Sequence, residues 1–366
     1  MAKFLEKNWK KADLLSMIGD PLQVAGVRAF QYTEGKASGV KGIQVNTGGG
    51  FQFVVLPGRG MDIPEAYYKG VNLNFFSGTG VTSPAYYEEP DLGWLRGFYA
   101  GLLTTCGITN SGAPSVDQGE ALGIHGRVSN SEAEDLCIEQ EWQDDEFLIT
   151  LKGTVRESKP FFENMRLTRK IETGLGWKKF RITDFIENRG FEAQPLMMLY
   201  HFNFGFPFLS PGAKVVGPII KTEPSNEEAE KDRGVEECLE FIKPQTSYQE
   251  KVFFHELGAD KDGNTFISLQ NRDIGNGVPL GMIMSFNKKQ LPMFTEWKMM
   301  KKGLYVLGLE PGTALPVGRG PLREMGKLMF LEGQESYTIT LNFEIVDSLK
   351  EFDRIQKMAS SLTSKK

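Results

Sequence analysis

The stretch Ser336-Tyr-Thr-Ile-Thr-Leu-Asn-Phe-Glu-Ile345 decides the fold class. Tyr337, Ile339, Leu341, Phe343 and Ile345 alternate with Thr338, Thr340, Asn342 and Glu344. A period of two is the mark of a strand with one buried and one wet face, because successive side chains leave a strand on opposite sides. The same period returns at Phe147, Ile149, Leu151, Gly153 and Val155 and again around Phe180 and Ile182, while Gly174, Gly176, Asn188 and Gly190 punctuate the turns between. The pattern predicts an all-β protein of extended antiparallel sheets.

Helical signals lie mainly at the ends. Ser348 and Glu351 have the spacing of a capping box, and Leu349, Phe352, Ile355 and Met358 recur every three residues, predicting a short helix over about 348–360 that covers a sheet edge or face. Ser360 to Lys366 reads as a frayed tail, and the charged stretch from Glu223 to Glu237 as an exposed excursion. No internal repeat or low-complexity linker divides the chain, so residues 1–366 are expected to form one β-rich domain.

The 366 residues are 40% apolar and 24% charged, enough for a substantial core. A net charge of −5 argues against nucleic acid, whose phosphates demand a basic face. The first residues lack the apolar core of a signal peptide, and no run approaches the about 20 apolar residues that span a bilayer. A soluble, cytoplasmic protein is expected, with no membrane partner. Cys106, Cys137 and Cys238 are odd in number and widely spaced, so reduced, buried thiols are expected rather than disulfides or a structural zinc site.

Chemistry concentrates in three segments. In Tyr200-His201-Phe202-Asn203-Phe204 the polar residues are two apart in an apolar run, so on a strand His201 and Asn203 share a face, either lining a pocket or forming a hydrogen-bonded core pair. Pro195 and Pro207 bracket that segment, placing its ends at exposed or irregular positions. His125 is flanked by Gly123 and Gly126, which allow close approach of backbone to a ligand. Glu310 ends an apolar run just before Pro311-Gly312, where partial desolvation raises a carboxyl pKa and suits a general base.

These segments resemble the aldose 1-epimerases, or galactose mutarotases. Tyr200-His-Phe-Asn-Phe-Gly205 is similar to their His-x-Tyr/Phe-Asn-Leu segment, His125-Gly126 to their His-Gly-Gly, and Glu310 falls where their C-terminal glutamate lies. Met165-Arg-Leu-Thr-Arg-Lys-Ile171, the stretch Asp184 to Asn188 and Gly58-Arg-Gly-Met-Asp-Ile63 resemble a divergent branch of that family, over roughly residues 40–345. The resemblance implies a β-supersandwich with short peripheral helices and an open cleft for a sugar, needing neither cofactor nor metal. It implies His201 as general acid at the pyranose ring oxygen and Glu310 as base at the anomeric hydroxyl, with His125 and Arg96 holding the sugar. Glu250 is the nearest likeness to the family's sugar-binding aspartate.

Arg127 replaces the second glycine of His-Gly-Gly, which suits an acidic or phosphorylated sugar; an internal salt bridge to a neighbouring carboxylate such as Glu132 or Glu134 is the alternative. Trp297 offers a face for a pyranose or packs in the core. Arg59 and Asp62 are cleft candidates, or an Arg–Asp pair closing their own turn. His255, near Glu250, is a weaker likeness to the family's sugar-binding aspartate. Another sugar epimerase, isomerase or lyase, or a carbohydrate-binding protein without turnover, fits the same residues.

Overall fold

The computed structural model describes residues 2–5, 7–275 and 277–363. Three antiparallel sheets carry the architecture. The eight-stranded sheet runs Glu134–Gln143, Glu146–Ser158, Asn164–Gly174, Lys179–Asn188, Ser336–Val346, Leu280–Asn287, Asn264–Asn271 and Lys214–Val216. The six-stranded sheet runs Leu103–Cys106, Leu199–Gly205, Leu304–Gly312, Met293–Lys301, Lys251–Leu257 and Ile219–Pro224. A five-stranded sheet is built from residues near the N-terminus, from Gly26–Gln31 to Val71–Asn72.

The alternation in Ser336–Val346 translates directly into burial, with Ile339, Leu341, Phe343 and Ile345 turned into the core. This strand lies inside its sheet, paired with Lys179–Asn188 on one side and Leu280–Asn287 on the other. Phe343 stacks on Phe180 at 5.0 Å between ring centroids, on Phe202 of the six-stranded sheet at 6.1 Å, and on Phe51 of the five-stranded sheet at 6.2 Å. One ring thus touches all three sheets. Burial of each such side chain contributes about 1.5–3 kcal/mol, and the aromatic contacts about 0.5–1.5 kcal/mol more.

A buried polar network also ties the sheets together. Arg169, in Asn164–Gly174, donates to both carboxylate oxygens of Asp184, at 2.9 and 2.6 Å, and reaches across to Thr105 at 2.7 Å and Asp62 at 3.3 Å. The Tyr200 hydroxyl donates to Asp184 at 2.7 Å. Asp62 also accepts from Thr105 N and Oγ1, so its partner is Arg169 and not Arg59. Burial pushes the Asp62 carboxyl up to about 7 against the pull of Arg169.

Several expectations are revised. The C-terminal helix spans Leu349–Thr363, continuing through residues expected to fray; 364–366 lie outside the described residues. It buries Phe352, Ile355 and Ala359 against Phe266 and Val346, while Leu349 is exposed, because a three-residue spacing drifts off a face that recurs every 3.6. Ser348 caps it by accepting from Glu351 N at 3.3 Å. The acidic excursion includes the end of a strand at Pro224 and a short helix, Glu227–Glu230, that buries Ala229. Pro195 is buried, and Cys137 is exposed whereas Cys106 and Cys238 are buried. Among the described residues no helix is long and apolar enough to cross a membrane.

Candidate functional site

The site lies on the face of the six-stranded sheet turned away from the core. In the strand Leu199–Gly205, Tyr200, Phe202 and Phe204 enter the core, which turns His201 and Asn203 to the opposite face. Phe202 pairs with Leu309 and Leu199 with Gly312, so His201 and Glu310 lie across from one another on adjacent strands. His201 Nε2 is 3.2 Å from Glu310 Oε1, in contact but without hydrogen-bond alignment. Gly308 makes room for this arrangement: a Cβ there would collide with the Glu310 carboxylate and press on Trp297.

Around the pair stands a wall of aromatic rings. The Trp297 ring meets His201 edge-on at 5.4 Å, and the Phe98 ring does the same at 5.4 Å while lying 6.3 Å from Trp297. His125 lies 5.6 Å from His201, and Trp94 packs on both His125, at 4.8 Å, and Phe98, at 4.7 Å. His125 adopts a left-handed backbone, φ 61°, between Gly123 and Gly126, and its Nδ1 accepts from Gly112 N at 3.3 Å. A neutral imidazole held that way carries its proton on Nε2.

The pair is almost dry: His201 is 5% exposed and Glu310 2%. Burial, and then the nearby His125, hold His201 well below the usual imidazole range. Burial, and then the charge of Glu250, hold Glu310 well above the usual carboxyl range. Both shifts favour uncharged forms, so imidazole and carboxyl together hold one proton. His201 Nδ1, Asn203 Oδ1, Thr295 Oγ1 and Glu310 Oε1 are buried without hydrogen-bond partners. Thr295 pairs with Glu310 in register and shares its face. A groove of about 330 Å³ opens farther along the sheet, beginning at Met293 and Phe254. Neither His201 nor Glu310 lines it.

The structure therefore brings together His201, Glu310, His125, Asn203 and Trp297. Asn203 Nδ2 donates to the His201 and Ala100 carbonyls, at 2.8 and 3.3 Å. Glu250 is exposed, and accepts from Trp297 Nε1 at 2.7 Å. The other candidates are placed differently. Arg96 is exposed and paired with Glu88 at 3.0 Å. Arg127 forms internal salt bridges, the alternative reading, but with Glu89 and, at 3.7 Å, Glu163 rather than with Glu132 or Glu134.

Arg59 is buried and spends its guanidinium on the carbonyls of Ser129, Thr82 and Gly97, fastening the Gly93–Gly97 turn next to Phe98. Asp62 is sealed in the core network. Sequence reasoning passed over Phe98, Trp94, Thr295 and Gly308, and no local pattern singled them out.

Residues 37–345 match the model of a family described as Domain of unknown function (DUF4432). The chain belongs to that family. No curated protein matches this DUF4432 member. Among solved structures, it is similar to a candidate aldose 1-epimerase from Klebsiella pneumoniae subsp. pneumoniae, with a TM-score of 0.87 and 24% identity over 98% of this chain and 93% of that one. A galactose mutarotase-like protein from Clostridium acetobutylicum gives a TM-score of 0.58 and 16% identity, over 89% of this chain and 100% of that one. Galactose 1-epimerase from Lactobacillus acidophilus gives 0.54 and 12%, over 88% and 99%. These likenesses establish that this DUF4432 chain has the galactose mutarotase-like β-sandwich fold.

Proposed function

We propose that the protein interconverts the α and β anomers of an aldose by acid–base opening and closure of the ring. The observation that carries this reading is the His201–Glu310 pair, opposed across two strands at 3.2 Å and nearly dry. In the reactive form the shared proton is on His201 and Glu310 is anionic. His201 gives its proton to the ring oxygen while Glu310 takes the proton of the anomeric hydroxyl, and the C1–ring-oxygen bond breaks to give the open aldehyde. The pair is then neutral imidazole and carboxylic acid, the form that burial favours. Rotation about C1–C2 and reversal of both transfers closes the other anomer. His125 Nε2–H is the donor for a sugar oxygen, and Trp297, steadied by Glu250, offers an aromatic face to the ring.

A neutral sugar is the better fit. Arg127 was the reason to expect an acidic or phosphorylated one, and its charge is already opposed by Glu89 and Glu163. A sugar that reaches the pair also meets Phe98 and Trp297, whose rings contact His201 and each other.

Polarimetry or NMR of freshly dissolved anomers tests the reading across a panel of neutral and anionic aldoses. His201→Gln and Glu310→Gln should each lower the catalysed rate at least about 10²-fold while remaining folded. Full activity in either variant, or no acceleration by wild type with any sugar, rejects it.

A further inference from the structure

His255 takes no part in the site above, yet it is among the most enclosed polar groups of the molecule. It lies on the strand Lys251–Leu257, on the core face of the six-stranded sheet. Its Nε2 is 2.9 Å from Glu296 Oε2, and its Nδ1 is 2.9 Å from Thr222 Oγ1 on the neighbouring strand. Both side chains are fully buried. Cys238, from the segment that covers this face, completes the group: its sulfur, a His255 nitrogen and a Glu296 oxygen all lie within 4.8 Å of one another.

We propose that Cys238, His255 and Glu296 form a binding site for a divalent zinc-class metal ion. Sulfur, imidazole nitrogen and carboxylate oxygen are the donor types that zinc takes, at about 2.3, 2.0 and 2.0–2.2 Å. Ligand atoms around such an ion sit roughly 3–4 Å apart, so closing the site needs the cysteine to move in by about 1 Å and the His255–Glu296 hydrogen bond, at 2.9 Å, to open slightly.

A second observation points at a ligand. Glu296 Oε1 is buried and has no hydrogen-bond partner, a costly state that a metal would relieve. Thr222 on the far nitrogen of His255 is the outer contact that orients metal-bound imidazoles. On binding, the Cys238 thiol proton leaves to solvent and the thiolate ligates the ion.

Lys298 also faces Glu296 and tempers the site, but its ammonium is held by the carbonyls of Glu237, Cys238 and Glu240 at 2.8, 3.0 and 2.6 Å. Thiolate and carboxylate match the two charges of the ion, leaving Lys298 with those carbonyls. Glu296 stands between Thr295 and Trp297, so an ion there would pin from beneath the strand that presents Trp297 to His201.

The test is a titration of Co²⁺, then Zn²⁺, into the chelator-treated full chain. A Cys137→Ser background removes the exposed thiol. The expected result is one equivalent of Co²⁺, a sulfur-to-cobalt charge-transfer band, and its displacement by Zn²⁺. Cys238→Ser should abolish the band and weaken binding at least about 10²-fold, while Thr222→Val, which leaves all three ligands, should weaken it about 10–100-fold. Circular dichroism reports folding of each variant. Lack of saturable one-to-one binding in the parent protein overturns the proposal whatever the variants do, as does a band that survives in folded Cys238→Ser.

Discussion

Two side chains give the protein its candidate chemistry, and their surroundings set how they respond to pH. An ordinary imidazole gains its proton near pH 6.5 and an ordinary glutamate loses its own near 4.3, so an exposed pair would change charge state twice across that interval. Here burial moves the two in opposite directions, His201 down and Glu310 up. In its uncharged form the pair therefore holds its one proton on Glu310; a second adds to His201 only below the ordinary imidazole range, and the first leaves Glu310 only above the ordinary carboxyl range. The expected profile of kcat/KM for mutarotation has its acid limb below pH 6.5; an acid limb with its midpoint near 6.5 would mean that His201 is hydrated and the pair is not the acid–base couple described. His201, His125 and Glu310 were legible in the sequence because each contrasts with its local surroundings: a histidine in an apolar run, a histidine between glycines, a carboxylate before Pro-Gly. Phe98 and Trp94 were not, because nothing local distinguishes an aromatic that walls a site from one that fills a core.

At the scale of elements, the strands Asn164–Gly174 and Lys179–Asn188 meet the six-stranded sheet through Arg169, Asp184, Tyr200, Thr105 and Asp62. Arg169→Met would leave two buried carboxylates without their cation, and such a loss typically costs 3–5 kcal/mol, or about that here. Urea unfolding should register it as a lower midpoint; a change below about 1 kcal/mol would show that the network contributes little. Arg169 and Asp184 fall in segments whose likeness to sugar epimerases was read from sequence, and their role is to join sheets. Asp62 and Arg59 illustrate the limit of that reading. Whether a charged residue reaches a cleft or the core depends on partners drawn from distant segments, and Arg59 alone is held by carbonyls at Thr82, Gly97 and Ser129.

For the molecule as a whole, period-two alternation made the sheets legible, since it reports directly which side chains are buried. Their order did not follow, because pairing partners are remote in sequence: Ser336–Val346 inserts between Lys179–Asn188 and Leu280–Asn287. Removing everything after residue 335 should therefore do more than shorten the protein. It strips both neighbours of their partner and takes Phe343 out of the ring stack that joins three sheets. Size-exclusion chromatography should find the shortened chain aggregated, whereas a soluble monomer with cooperative unfolding would show that the inserted strand is dispensable.

The same insertion has a consequence for biosynthesis. A ribosome adds roughly 5–20 residues per second, so on the order of ten seconds separate the emergence of Lys179–Asn188 from that of the strand that pairs with it. Throughout that interval the nascent chain carries an open, hydrogen-bond-hungry edge beside exposed phenylalanines, the kind of surface that other chains and chaperones bind. Slow translation of the last third of the message would lengthen this exposure, and yield in the cell should depend on how quickly that final stretch is made.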